Sequence, residues 1–189
     1  MRRHPRIGFL LLGIVLLASW ANDRMGWSES LPADTVFTPG VPFYPQEELG
    51  CGPAAVASLL AYWGRPVSLE EITQEVYLEK LKGSLPVDLM LAAQKRGLAA
   101  VSYSGGLDDL RLHLKRNQPV IAFLNPGGRL FPRGHFVVVT GYDETRRVIT
   151  AHSGAFPNQK FPAETFLKAW VGTDYWTLLI HPKETPQPS

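Results

Sequence analysis

The chain has 189 residues, 45% of them hydrophobic and 19% charged, with a formal net charge of +2. That is enough for one domain with its own core, and it excludes a disordered, collagen-like or disulfide-stapled protein, since the single cysteine has no partner. Arg2, Arg3 and Arg6 account for the excess positive charge, so the rest of the chain carries no basic field of the kind that binds nucleic acid.

Residues 1–21 have the order of an export signal: a basic start, an apolar run over 7–17, then Ser19 and Ala21 as small residues at a cleavage site. The run is shorter than the roughly 20 residues of a spanning helix. An uncleaved membrane anchor with Trp20 at the interface is the alternative. In both readings the folded part is expected outside the cytoplasm, periplasmic or extracellular, free or tethered to the inner membrane. Residues 22–39 are polar and read as a linker, 40–182 as the domain, and the Pro-rich 183–189 as a tail.

Within the domain, residues 51–63 are apolar at helical spacing, with Pro53 early and Gly64 just beyond the end. Ser68-Leu69-Glu70-Glu71 has the spacing of a capping box and opens a second helix to about residue 77. A third helix is predicted over 86–96, a strand over 98–103, a helix over 107–116 and an apolar strand over 119–124. Residues 127–133 are rich in Gly and Arg and form a connection that could shape substrate entry. The β-branched run 135–142 and the segment 147–152 read as a hairpin, followed by a helix over 162–170 and a closing strand over 175–181. Helices first and a mostly antiparallel sheet afterwards make an α+β fold.

Cys51 stands between Gly50 and Gly52 at the start of the first helix. A thiol attacks as thiolate, and a helix N-terminus offers partial positive charge and unpaired N–H groups that would bring its pKa down. The glycines leave room for a carbonyl, the Cys51 amide can serve an oxyanion hole, and Gln46 just upstream is a candidate second donor. A buried, inert cysteine is the alternative, but the glycine flanks and the helix start favour a nucleophile.

A cysteine nucleophile needs a base. His113 sits in a charged helix and His181 borders the tail, whereas His135 follows Gly134 and opens the β-branched strand, where a sheet holds it rigidly. A third residue would orient the imidazole. With the hairpin turn centred between Glu144 and Thr145, His152 lies diagonally across from His135 on the same face; a bulge would put Ser153 there instead. Asn125 and Asn158 are more remote candidates. No HExxH, CxxC or regular His spacing suggests a metal, and no cofactor motif occurs.

Pro42-Phe43-Tyr44-Pro45-Gln46, Cys51-Gly52-Pro53-Ala54-Ala55 and the stretch from Gly134-His135-Phe136 through Gly141-Tyr142-Asp143 together resemble the bacteriocin-processing, double-glycine leader peptidases and their stand-alone relatives. The resemblance covers about residues 41–181. It implies a papain-like cysteine peptidase fold with Cys51 as nucleophile, His135 as base and Gln46 in the oxyanion hole, acting on a peptide or protein substrate. The chain departs from the family in carrying Ala151-His152-Ser153-Gly154 where Asp or Asn, often followed by Pro, is common. It also lacks the membrane domain and ATPase of the transporter-fused members, so it is closer to the exported stand-alone subgroup. The expected function is an extracytoplasmic cysteine peptidase working through an acyl-enzyme. The alternatives are a peptide-binding module on the same fold, and an amidase or acyltransferase acting on a non-protein amide.

Overall fold

The computed structural model describes residues 34–45, 50–128, 130 and 133–183. The expected signal segment, residue Gln46 and nearly all of the tail lie outside the described residues. Strands β1 (Thr35–Phe37), β2 (Leu98–Ser104), β3 (Val120–Leu124), β4 (His135–Asp143), β5 (Val148–Ser153), β6 (Phe156–Pro162) and β7 (Trp176–Pro182) form one sheet. Its order is β2-β7-β3-β4-β5-β6, with β1 added beside the far end of β4, and every pairing is antiparallel.

Helices α1 (Cys51–Tyr62), α2 (Leu69–Val76) and α3 (Pro86–Lys95) cover one face, and α4 (Leu107–Lys115) and α5 (Ala163–Val171) cover the other. This explains why β4 is apolar at successive positions rather than at alternate ones. Phe136 and Val138 pack with Leu59, Leu60 and Ile72 on the first face, while Val137 and Val139 pack with Leu110, Phe166 and Trp170 on the second. Strands β3 and β7 split in the same way, with Ile121, Leu178 and Ile180 on the first face and Val120, Ala122 and Leu179 on the second.

Helix α1 is buried from Gly52 to Leu60, which makes it the central helix of its layer. Ser68 caps α2, its Oγ accepting from the Glu71 amide at 3.1 Å, and Glu70 and Glu71 lie in the first turn where the helix dipole favours them.

Two strands escape the sequence pattern. The expected linker over 22–39 ends early, because Thr35–Phe37 pairs with Asp143, Tyr142 and Gly141. Residues 156–161, to which the sequence pattern assigns no element, and Pro162, expected to open a helix, form β6. It is an edge strand, where a missing N–H can face solvent. The hairpin register also differs: Asp143 pairs with Val148, two residues beyond its expected partner, and a bulge between Val139 and Gly141 takes back one residue, so that Val138 pairs with His152.

The start of α1 tolerates no side chain at Gly52. A Cβ there would lie 2.7 Å from Ser84 Oγ and 2.8 Å from Ser84 Cβ. Gly52→Ala is expected to destabilise the protein by about 1–3 kcal/mol in urea denaturation, and adding Ser84→Gly is expected to restore most of the loss.

Candidate active site

The first turn of α1 meets the opening of β4. The backbone N–H groups of Phe136, Gly52 and Cys51 all favour the charged form of the Cys51 sulfur, and the Phe136 amide belongs to the residue directly after His135. The helix start and the strand mouth are thus brought together at one sulfur. Burial outweighs these donors and holds the thiol above its ordinary pKa, so the lowering expected from the helix terminus alone does not prevail. The same burial holds the His135 imidazole below its ordinary value. Both groups are therefore neutral at rest.

His135 Nε2 lies 2.9 Å from Ser153 Oγ. The bulge in β4 explains this partner: with Val138 opposite His152, Ser153 falls opposite Val137, one diagonal step from His135 on the same face. When Ser153 Oγ accepts from Nε2–H, Nδ1 keeps its lone pair.

His152, the expected third member, is not the partner of His135. Its Nε2 lies 3.0 Å from the Val41 carbonyl oxygen, and its Nδ1 accepts from the Asn158 amide at 3.1 Å. The carbonyl can only accept and the amide can only donate, so His152 is the neutral Nε2–H tautomer. It is 3% exposed, its pKa is held down by burial, and its ring meets Phe43 edge-on with centroids 5.4 Å apart. Ser58 Oγ on α1 donates to the Pro42 carbonyl on the same segment. Residues 41–45, which lead toward Gln46 and Cys51, are therefore pinned to β5 by His152 and to α1 by Ser58.

Asn158, with φ of 49°, joins this arrangement by accepting from Thr140 Oγ1 at 3.0 Å at the bulge. Asn125 serves the loop before His135: its Nδ2 donates to Gly128 O at 3.0 Å and its Oδ1 accepts from Arg133 N at 3.0 Å. His113 lies on α4, 3.3 Å from Asp109 Oδ1, and His181 lies at the end of β7. Neither belongs to the site. A separate cavity of about 270 Å³ lies between β1, β4, β5 and β6, and its lining includes neither Cys51 nor His135.

An α+β fold with a cysteine at the start of its central helix and a histidine at the mouth of the facing strand is the arrangement of papain-like cysteine peptidases. The chain belongs to the Peptidase_C39 like family, which it matches over residues 38–177. Among solved structures it resembles a double glycine motif protease from an AMS/PCAT transporter, crystallised in complex with its leader peptide. That match has 28% identity and a TM-score of 0.61, and covers 79% of this chain and 99% of that one. A C39-like peptidase from Bacillus anthracis shares the fold at 20% identity with a TM-score of 0.65, covering 80% of this chain and 99% of the other. The peptidase domain of Streptococcus ComA, a bi-functional ABC transporter involved in a quorum-sensing pathway, does so at 22% identity and a TM-score of 0.61, covering 76% and 100%. No curated protein sequence matches the chain.

Buried His152 and half-buried His135 shape the acid side of the stability profile. Both are held neutral, with folded pKa values below the unfolded value of about 6.5. Their contribution is complete above that value and is lost as pH falls through the folded values. The melting temperature should therefore hold steady from pH 8 to 7 and fall from pH 6.5 to 5. His152→Gln should flatten part of that fall; an unchanged slope would show that His152 carries none of it.

Proposed function

We propose that the protein is an extracytoplasmic cysteine peptidase in which Cys51 is the nucleophile and His135 the base. The observation that carries this reading is the meeting of the Cys51 sulfur with the Phe136 amide, while Ser153 holds Nε2 of the neighbouring imidazole. His135 Nδ1 takes the thiol proton as sulfur attacks the substrate carbonyl. The tetrahedral oxyanion draws on the Cys51 amide and on Gln46. The imidazolium then gives its proton to the leaving amine, and water activated by His135 hydrolyses the thioester. Ser153 orients the ring but brings no negative charge to the imidazolium. A carboxylate would stabilise that cation, so turnover is expected to be slower than with Asp in this position.

Family membership supports peptide-bond hydrolysis, and the relative crystallised with a leader peptide supports a peptide as substrate. The N-terminal segment, read as a signal or anchor, supports action outside the cytoplasm.

Incubating the mature domain with a mixed peptide library and reading new termini by mass spectrometry tests this directly. Cleavage should be abolished by Cys51→Ala and reduced by at least a hundredfold by His135→Ala. Ser153→Ala should lower kcat/KM by about tenfold, because Nε2 loses its orienting partner and the ring can rotate. Release of ammonia or an amine from non-peptide amides, with the peptides left intact, would favour the amidase reading instead.

A further inference from the structure

His152 is buried, has its tautomer fixed from both sides, and takes no part in the proposed proton transfer. Resting on the peptidase reading, we propose that it is a positioning residue that works only as the neutral ring. It ties residues 41–45 to the sheet beside α1, and its protonation unties them. Acid then lowers activity through a group that never touches the reacting atoms.

The tied segment is short of bonds of its own. Pro39, Pro42 and Pro45 bring no amide N–H, so residues 39–45 lack the donors of a regular strand. The Thr38 amide still donates to the Thr140 carbonyl at 2.7 Å, as the last link of the β1 pairing. Beyond it, side chains take over: His152 Nε2 donates to the Val41 carbonyl at 3.0 Å, and Ser58 Oγ donates to the Pro42 carbonyl. Val41 and Tyr44 pack against the core cluster that Cys51 also packs against, and Ser58 lies about two turns along α1 from Cys51. The segment and the nucleophile thus rest on one core, and the tie to β5 is made by a titratable ring.

That ring has no room for a second proton. Its Nδ1 accepts from the Asn158 amide at 3.1 Å. A protonated Nδ1 would be a donor facing a donor, and one of the two must withdraw. Asn158 is held from its other side, because its Oδ1 accepts from Thr140 Oγ1 at 3.0 Å. The ring is therefore the partner that moves, and the Val41 bond goes with it. His135 differs, since the Ser153 hydroxyl beside it can accept from the ring in either charge state. No Asp, Glu, Lys or Arg lies on α1 or on residues 38–45. The titratable groups on the elements around His152 are Tyr44, Cys51, Tyr62, His135 and Asp143 at the two ends of β4, and Lys160 on β6. None of them acts on its ionisation, which burial and the Val41 carbonyl govern.

Two measurements on the mature domain test the proposal. Two-bond proton–nitrogen correlation spectra of protein labelled with ¹⁵N-histidine give the tautomer and its titration without any substrate. His152 should be the neutral Nε2–H form at pH 7.5, and its protonation below pH 6.5 should shift the amide signals of Val41, Phe43 and Tyr44. The second measurement is the pH profile of kcat/KM for a peptide that the protein cuts, over the range where circular dichroism shows it folded. On the acid side log kcat/KM should fall with a slope of about two in the wild type, one proton for His135 and one for His152. In His152→Gln, whose amide donates and accepts but does not titrate, the slope should be about one. His152→Phe, with neither donor nor acceptor, should lose at least about tenfold in kcat/KM at pH 7.5, and the Gln variant should recover to within about threefold of wild type. An imidazolium or Nδ1–H tautomer at pH 7.5, equal slopes in wild type and His152→Gln, or full activity in His152→Phe would each overturn the proposal. If the Phe variant does not fold, the tautomer and the two slopes decide. The peptidase reading fails on different grounds, when the wild type cuts no peptide at any pH or when Cys51→Ala still cuts.

Discussion

Helix α1 and strand β4 are apolar on nearly every side, and each is buried because the other covers it. Neither could stand at the edge of the molecule without leaving apolar surface in water, worth roughly 25 cal/mol for each Å². Their packing fixes where the first turn of α1 lies against the mouth of β4. The approach of the Cys51 sulfur to the Phe136 amide is a consequence of that core contact, and His135 directly precedes Phe136 on the strand. Changes at Gly52 or Gly134 act on the chemistry by moving this junction, since each glycine sits where a Cβ would collide with Ser84 or Phe123.

The same burial that positions the pair sets its resting state. Desolvation penalises both thiolate and imidazolium, and three backbone amides only partly offset this for the sulfur. In the proposed reaction, transfer of the thiol proton to His135 would create two opposite charges in a site of low dielectric, where their attraction is much stronger than in water. Ser153 steers the ring without adding charge. His152 works elsewhere, holding the segment between residue 41 and the start of α1. Two neighbouring residues on β5 thus divide the tasks that one might have been expected to do.

The long elements were legible in the sequence because their patterns are local. The apolar run after Cys51, the Ser68 cap and the β-branched run after His135 each announce a helix or strand without reference to the rest of the chain. Strands β1 and β6 were not legible, because three residues in a polar stretch and a Pro-flanked edge become strands only when β4 and β5 offer them partners. Cys51 and His135 stood out by their glycine neighbours and their places at element starts. The choice between His152 and Ser153 depended on a single bulge near Thr140, and a one-residue register shift flips every side chain of a strand to the other face.

The central claim is that His135 serves as the base for a Cys51 thiol that would otherwise titrate high. The pH dependence of iodoacetamide alkylation of the mature domain tests it most directly. The wild-type rate should rise with a midpoint below about 6.5, the titration of the imidazole, and stay level through neutrality. In His135→Ala it should rise only above about 8.5, as a buried thiol without a base would. Identical profiles for the two proteins would contradict the account.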